Sequence, residues 1–139
     1  MGKRFVIYGL AGLLMEVFWN GFWALVKGDI NIVGSTSLWM FPVYGATILL
    51  EYVHNYIREL PTLIRGGVYT LLIFTTEFIT GWIFRNVIGV SPWDYSGSPF
   101  SIYGLIRLDY APAWFVAGLL FEQLHDTLET IPMLRDWII

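Results

Sequence analysis

The chain has 139 residues, 56% of them hydrophobic and 18% aromatic, with only 14% charged and a mean hydropathy of +0.61. Those values fall outside the usual range of a soluble domain, and the length allows one compact domain. A net charge of −3, spread along the chain, excludes a nucleic-acid-binding surface and a polybasic lipid patch. The absence of cysteine excludes disulfides, thiolate metal sites and cysteine nucleophiles.

Four apolar stretches, at 5–26, 38–57, 67–88 and 111–130, match the thickness of a bilayer. They predict an all-α integral membrane protein, a four-transmembrane-helix bundle forming a single domain over 1–139, since backbone in lipid must satisfy its own hydrogen bonds. The first stretch follows Lys3 and Arg4, as a signal peptide would. It is too long for one, contains Glu16 and Asn20, and ends without a small-residue cleavage pattern, so it reads as a retained span.

The connections differ in character. Gly28 to Ser37 is a short polar loop whose Gly34-Ser35-Thr36-Ser37 suits a helix cap before Leu38. Arg58 to Gly66, with Pro61 inside it, reads as a tight basic turn. Gly89 to Tyr110, between helices 3 and 4, is long and aromatic, and such sequence lies in the interface or dips back between helices. The tail from Pro132 to Ile139 is expected at the interface. With the N-terminus inside, Lys3, Arg4, Arg58, Arg65 and Arg135 lie on the inner side, against Lys27, Arg85 and Arg107 outside. That balance favours cytoplasmic N- and C-termini.

Each span carries one glutamate near its middle: Glu16, Glu51, Glu77 and Glu122. An ionisable group at the centre of a membrane helix costs roughly 2.5–3.5 kcal/mol on insertion scales, and such residues face the bundle interior. Residues four apart share a helix face. The stripes are then Gly12-Glu16-Asn20, Thr47-Glu51-Asn55, Glu77-Gly81-Arg85 and Gly118-Glu122-Asp126, and they are expected to converge near the midplane. Two of the glutamates begin Glu-x-x-His motifs, Glu51 to His54 and Glu122 to His125, which hold the only histidines of the chain.

Four carboxylates in a dry core need a neutralising partner, because like charge and desolvation both disfavour ionisation. Four partners are open: protons, a bound cation, Arg85, or metal ions such as iron, manganese or zinc. The metal reading would use Glu16, Glu51, His54, Glu77, Glu122 and His125. Soluble di-iron bundles also take Glu from two helices and Glu-x-x-His from the other two. Their Glu-x-x-His helices run antiparallel, however. An up-down-up-down chain makes them parallel here, which puts both histidines on one side of the glutamate layer.

An internal repeat relates Pro42–His54 (PVYGATILLEYVH) to Pro112–His125 (PAWFVAGLLFEQLH), as two related helical hairpins would. Trp19, Trp23, Trp39 and Trp93 fall toward the outer surface, as an interfacial belt does. Asp94 can turn the backbone through its carboxylate or face a substrate entering past Asn20, Trp93, Tyr95 and Arg85. No P-loop, GxGxxG or GxSxG is present, and no histidine lies on that side to serve a nucleophile.

Several segments together resemble a known family. They are Glu16, Gly34-Ser35-Thr36-Ser37-Leu38-Trp39, Pro42-Val43-Tyr44-Gly45, Glu77-Phe78-Ile79-Thr80-Gly81-Trp82, Pro92-Trp93-Asp94-Tyr95-Ser96 and Gly104-Leu105-Ile106-Arg107-Leu108-Asp109-Tyr110. The resemblance is to the Transmembrane Protein 229 family and its CmpB-like "putative ABC-transporter type IV" relatives, and it covers nearly the whole chain. It implies a small polytopic membrane protein of about four spans.

Three functions follow as expectations. The first is proton- or cation-linked transport or permeation, by a homo-oligomer or with a partner subunit, since one subunit of 16.0 kDa is small for a complete transporter. The second is a membrane metalloenzyme acting on a lipid or lipophilic substrate. The third is a structural scaffold whose glutamates fix helix register.

Overall fold

A computed structural model of the protein describes residues 2–135. The fold is mostly helical, and helix occupies all four stretches that the apolar pattern marks. The described residues divide into two compact units, 2–49 and Leu50–Arg135. The expected interfacial tail lies mostly outside the described residues; only Pro132–Arg135, a short helix α6, is described.

The first unit is built on α1, Gly2–Val26, a 25-residue helix without an internal proline. Val6, Leu10, Leu14, Phe18 and Phe22 repeat every fourth residue and are all exposed, forming one unbroken apolar stripe. In water such a stripe would be an aggregation surface; in lipid it is satisfied. Met40–Gly45 forms α2 and packs on the opposite face, where Gly9 and Gly12 let Phe41 and Tyr44 approach the α1 backbone. A Cβ at position 12 would collide with the Tyr44 ring. The loop between them is tied down by Asn20, whose Nδ2 donates to the Ser35 carbonyl at 2.6 Å.

The second apolar stretch is not one continuous helix. It starts at Met40, two residues later than the sequence predicts, with the Trp39 amide donating to Ser37 Oγ. A 3-10 segment, Ala46–Leu49, then separates α2 from α3, Leu50–Ile57. One local cause is visible: the Thr47 hydroxyl donates to the Tyr44 carbonyl at 2.6 Å, offering that acceptor an alternative to the α-helical bond.

The second unit holds α3, α4 and α5. Helix α4 runs Thr62–Ile83 and continues as one π-turn, Phe84–Ile88. Gly89 ends it at φ 88°, where its own N–H and that of Val90 both reach the Phe84 carbonyl. The long connection then makes a small hairpin, β1 Ser101–Ile102 with β2 Ile106–Arg107, around Tyr103-Gly104. Both turn residues have positive φ, the mirror-image turn that suits strand twist. A 3-10 turn, Leu108–Tyr110, leads into α5, Ala111–Glu129.

Helices α4 and α5 pack closely because Gly66 faces Phe115 and Gly118 faces Tyr69. Tyr69 is fully buried at 0% exposure as a result. Gly118→Val should therefore push the helices apart and cost about 1–3 kcal/mol, the usual penalty of overpacking. Gly67→Ala, where a Cβ meets nothing within 4 Å, should instead match or exceed wild type. Thermal unfolding in mild detergent measures both; equal stability of the two variants would contradict this packing.

A carboxylate–histidine cluster in the second unit

The two Glu-x-x-His motifs meet, and they exchange partners. His54 Nδ1 lies 3.1 Å from Glu122 Oε2, and His125 Nδ1 lies 2.7 Å from Glu51 Oε2. Each histidine is thus held by the glutamate of the other motif. The two imidazoles sit edge to face with centroids 5.0 Å apart. His54, Glu122 and His125 are all buried.

Glu122 Oε2 is the hub. It accepts from the Tyr69 hydroxyl at 2.7 Å and from Arg65 Nε at 2.9 Å, besides His54. Arg65 spends its other donors locally, on the Leu60 carbonyl at 2.5 Å and Thr62 Oγ1 at 3.4 Å. A carboxylate so surrounded by donors is held ionised without leaving lone pairs idle. The Tyr69 hydroxyl donates to Glu122 and its oxygen lies 2.8 Å from His54 Nδ1, and a carboxylate only accepts, so a proton on His54 Nδ1 is shared between the Tyr69 oxygen and Glu122. The other nitrogen, Nε2, is then the ring's bare lone pair. It has no hydrogen-bond partner and lies 3.9 Å from Asp126 Oδ1.

The remaining expected site residues are placed elsewhere. Glu77 is eight residues beyond Tyr69 on α4, about 12 Å along the axis at 1.5 Å per residue. Its Oε1 accepts from the Tyr95 hydroxyl at 3.1 Å. Glu122 meets α4 at Arg65 and Tyr69 instead, near the start of that helix. Glu77 and Glu122 therefore do not form the single layer that span midpoints suggest. Glu16, in the other unit, is bonded by the Tyr44 hydroxyl at 2.5 Å. The cation beside a glutamate is Arg65 and not Arg85, whose guanidinium donates to the Tyr103 carbonyl at 2.7 Å.

The aromatic loop folds onto α4. Trp93 Nε1 donates to the Leu105 carbonyl at 3.0 Å and its ring rests by Gly81. Asp94 Oδ1 accepts from the Ser96 amide at 2.9 Å, the backbone-turning role open to it from sequence. Arg107 pairs with Asp109 at 2.8 Å and stacks over the Tyr110 ring, which locks the end of the loop.

Sequence reasoning missed Arg65, Tyr69 and Tyr44. The usable signal for Arg65 was Pro61. Proline at a helix start is favourable, and α4 does begin at Thr62, which places Arg65 and Tyr69 one turn apart on a single face.

Gly2–Val26 and Thr62–Ile88 are long and apolar enough to cross a membrane. With their exposed apolar faces and a buried ionisable cluster, they define a helical membrane protein. The chain belongs to the family described as "Putative ABC-transporter type IV", whose model matches residues 4–138. This is the CmpB-like family that its motifs resemble. No solved structure matches the chain.

Two outcomes are expected. Arg65→Ala should cost about 2 kcal/mol, because it strands Glu122. Arg65→Ala combined with Glu122→Gln should recover part of that loss in a denaturation cycle; strict additivity would remove the pair from the hub. In the loop, the Ser96 hydrogen bonds hold the Asp94 carboxyl below its ordinary range, with a smaller contribution from the Arg85 charge. A depressed value means that the loop contact is present above the ordinary pKa of about 3.9 and is lost as pH falls through the lower one. Carbon-13 titration of Asp94 should show that lower midpoint, and Ser96→Pro should raise it.

Proposed function

We propose that the chain is a single transmembrane domain of four spans which carries protons or a cation, using the Glu51–His54–Glu122–His125 cluster as its exchange site. Two spans are apolar helices in their own right. The other two would be α2 to α3, residues 40–57, and α5. Eighteen and nineteen residues reach about 27–29 Å at 1.5 Å per residue, close to the hydrocarbon thickness. The Lys/Arg balance orients both termini toward the cytoplasm. A subunit of this size is expected to work as a homo-oligomer or with a partner subunit.

The observation that carries this reading is the exchange of partners between two buried Glu-x-x-His motifs. Glu51, Glu122, Asp126 and Glu129 bring more carboxylate to the cluster than the single charge of Arg65 can balance. Protons on the histidines reduce that excess, and so does a divalent cation. A buried site whose charge depends on its occupancy is what a carrier of protons or cations needs. Glu16 with Tyr44 and Glu77 with Tyr95 supply further carboxylate–hydroxyl pairs.

Reconstituted liposomes with an internal pH dye and an imposed potassium diffusion potential test this. Wild-type protein should pass protons well above empty vesicles. Glu122→Gln and His125→Gln should reduce the flux at least tenfold while the protein stays folded and monodisperse. Wild-type flux equal to that of empty vesicles, at every pH and with added divalent cations, would end this reading.

A further inference from the structure

We infer that His54, His125 and Asp126 form a binding site for one divalent transition metal, zinc or iron(II). Of the two occupants that reduce the cluster's excess charge, this names the cation, and to that extent it rests on the proposed function. The donor set is specific. The three side chains each offer one ligand atom, and all of these atoms lie within 4.8 Å of one another. Two imidazoles and one carboxylate are the ligands that zinc and non-haem iron(II) prefer.

The decisive atom is His54 Nε2. It belongs to a residue only 4% exposed and has no hydrogen-bond partner, yet it points toward Asp126 Oδ1 at 3.9 Å. A buried imidazole nitrogen without a partner is costly unless something binds it. A proton there would have Asp126, at 3.9 Å, as its acceptor only after that side chain moves. A metal ion would use the lone pair directly.

The arrangement behind the rings agrees. Metal-bound histidines almost always donate their other N–H to a carboxylate, a backbone carbonyl or water, which fixes the tautomer and makes the ligating nitrogen more basic. Here Glu122 takes the Nδ1 side of His54 and Glu51 takes the Nδ1 side of His125. That leaves Nε2 as the ligating nitrogen on both. Glu51 and Glu122, the glutamates that the sequence pattern puts forward as ligands, become positioning residues instead, and Asp126 becomes the ligand.

The ligand atoms, all within 4.8 Å of one another, must close by at most about 1.5 Å. Ligand atoms about 2.0–2.1 Å from a tetrahedral zinc stand about 3.3 Å apart. The His54–Asp126 separation must shrink by roughly half an ångström. The Asp126 side chain is 57% exposed and free to rotate that far, while both rings are fixed. A second group, Glu51, His125 and Glu129, shares His125. It offers one imidazole to two carboxylates and would take Glu51 away from its ring, so the two-histidine group is the better site. Three protein ligands leave one coordination position open for water, a substrate or a passing ligand.

The test uses the full chain in mild detergent, stripped with a chelator and titrated with zinc, then with cobalt(II) as a spectroscopic stand-in. One equivalent should bind, and cobalt should show the intense visible bands of a low-coordinate site. Asp126→Asn, at an exposed position that leaves folding intact, should weaken zinc binding at least tenfold. His54→Ala/His125→Ala should abolish it. Glu51→Gln and Glu122→Gln should weaken it about 10–100-fold while keeping the cobalt bands, as positioning residues do. Tight binding that survives Asp126→Asn and the double histidine change, or no binding by wild-type protein, would overturn the site. Proton flux separates the two readings. If zinc fails to bind but wild-type liposomes still conduct, the transport reading stands alone. If zinc binds and no flux occurs, the metal is resident and the carrier reading falls.

Discussion

The second unit depends on one constraint: a carboxylate may be buried only if donors surround it. Glu122 meets that condition with three donors from two other helices, Arg65 and Tyr69 on α4 and His54 on α3. The consequences spread outward from it. Tyr69 must lie flat against α5 to reach the carboxylate, so Gly118 must lack a side chain. Arg65 must sit inside the first turn of α4, so the turn before it must be short. His54 must turn its Nδ1 edge inward, and its other edge is thereby presented to His125 and Asp126. Polar chemistry and helix packing in this unit are one arrangement.

Much of this was legible from residue spacing. Four apolar stretches predicted helices, and helices are there, because hydrophobic runs of that length in a protein so poor in charge have few alternatives. The two Glu-x-x-His motifs supply four of the residues that the cluster brings together. Partner choice was not legible. Periodicity states which residues share a face of one helix, but not the axial offset between helices. Glu77 and Glu122 look equivalent in the sequence, each centred in an apolar run. They separate because α4 begins at Thr62, five residues earlier than the apolar run suggests, and so offers Arg65 and Tyr69 to α5.

The aromatic loop gives the complementary lesson. Its Trp-Asp-Tyr-Ser segment drew attention as a candidate entrance because its composition is unusual. Among the described residues its side chains are used to build the loop and to dock it. Trp93 closes on a backbone carbonyl, Asp94 on an amide, and Tyr95 on Glu77. Segments that combine aromatic bulk with turn chemistry often look functional from sequence for this reason: docking a loop on a helix needs the same residue types as binding a ligand. The Arg107, Asp109 and Tyr110 contacts belong to the same class.

The brevity of α3 has its own consequence. Eight residues make barely two turns, and an isolated helix of that length does not hold its shape in water. A 3-10 segment, Ala46–Leu49, precedes it, so its α-helical hydrogen bonding does not run on unbroken from α2. What fixes its rotation about its own axis is the pair of anchors it carries, Glu51 and His54. The groups that would exchange a proton or ligate an ion are thus the same groups that hold the helix in register. A change in charge at the cluster would act directly on the contacts that hold α3 in place.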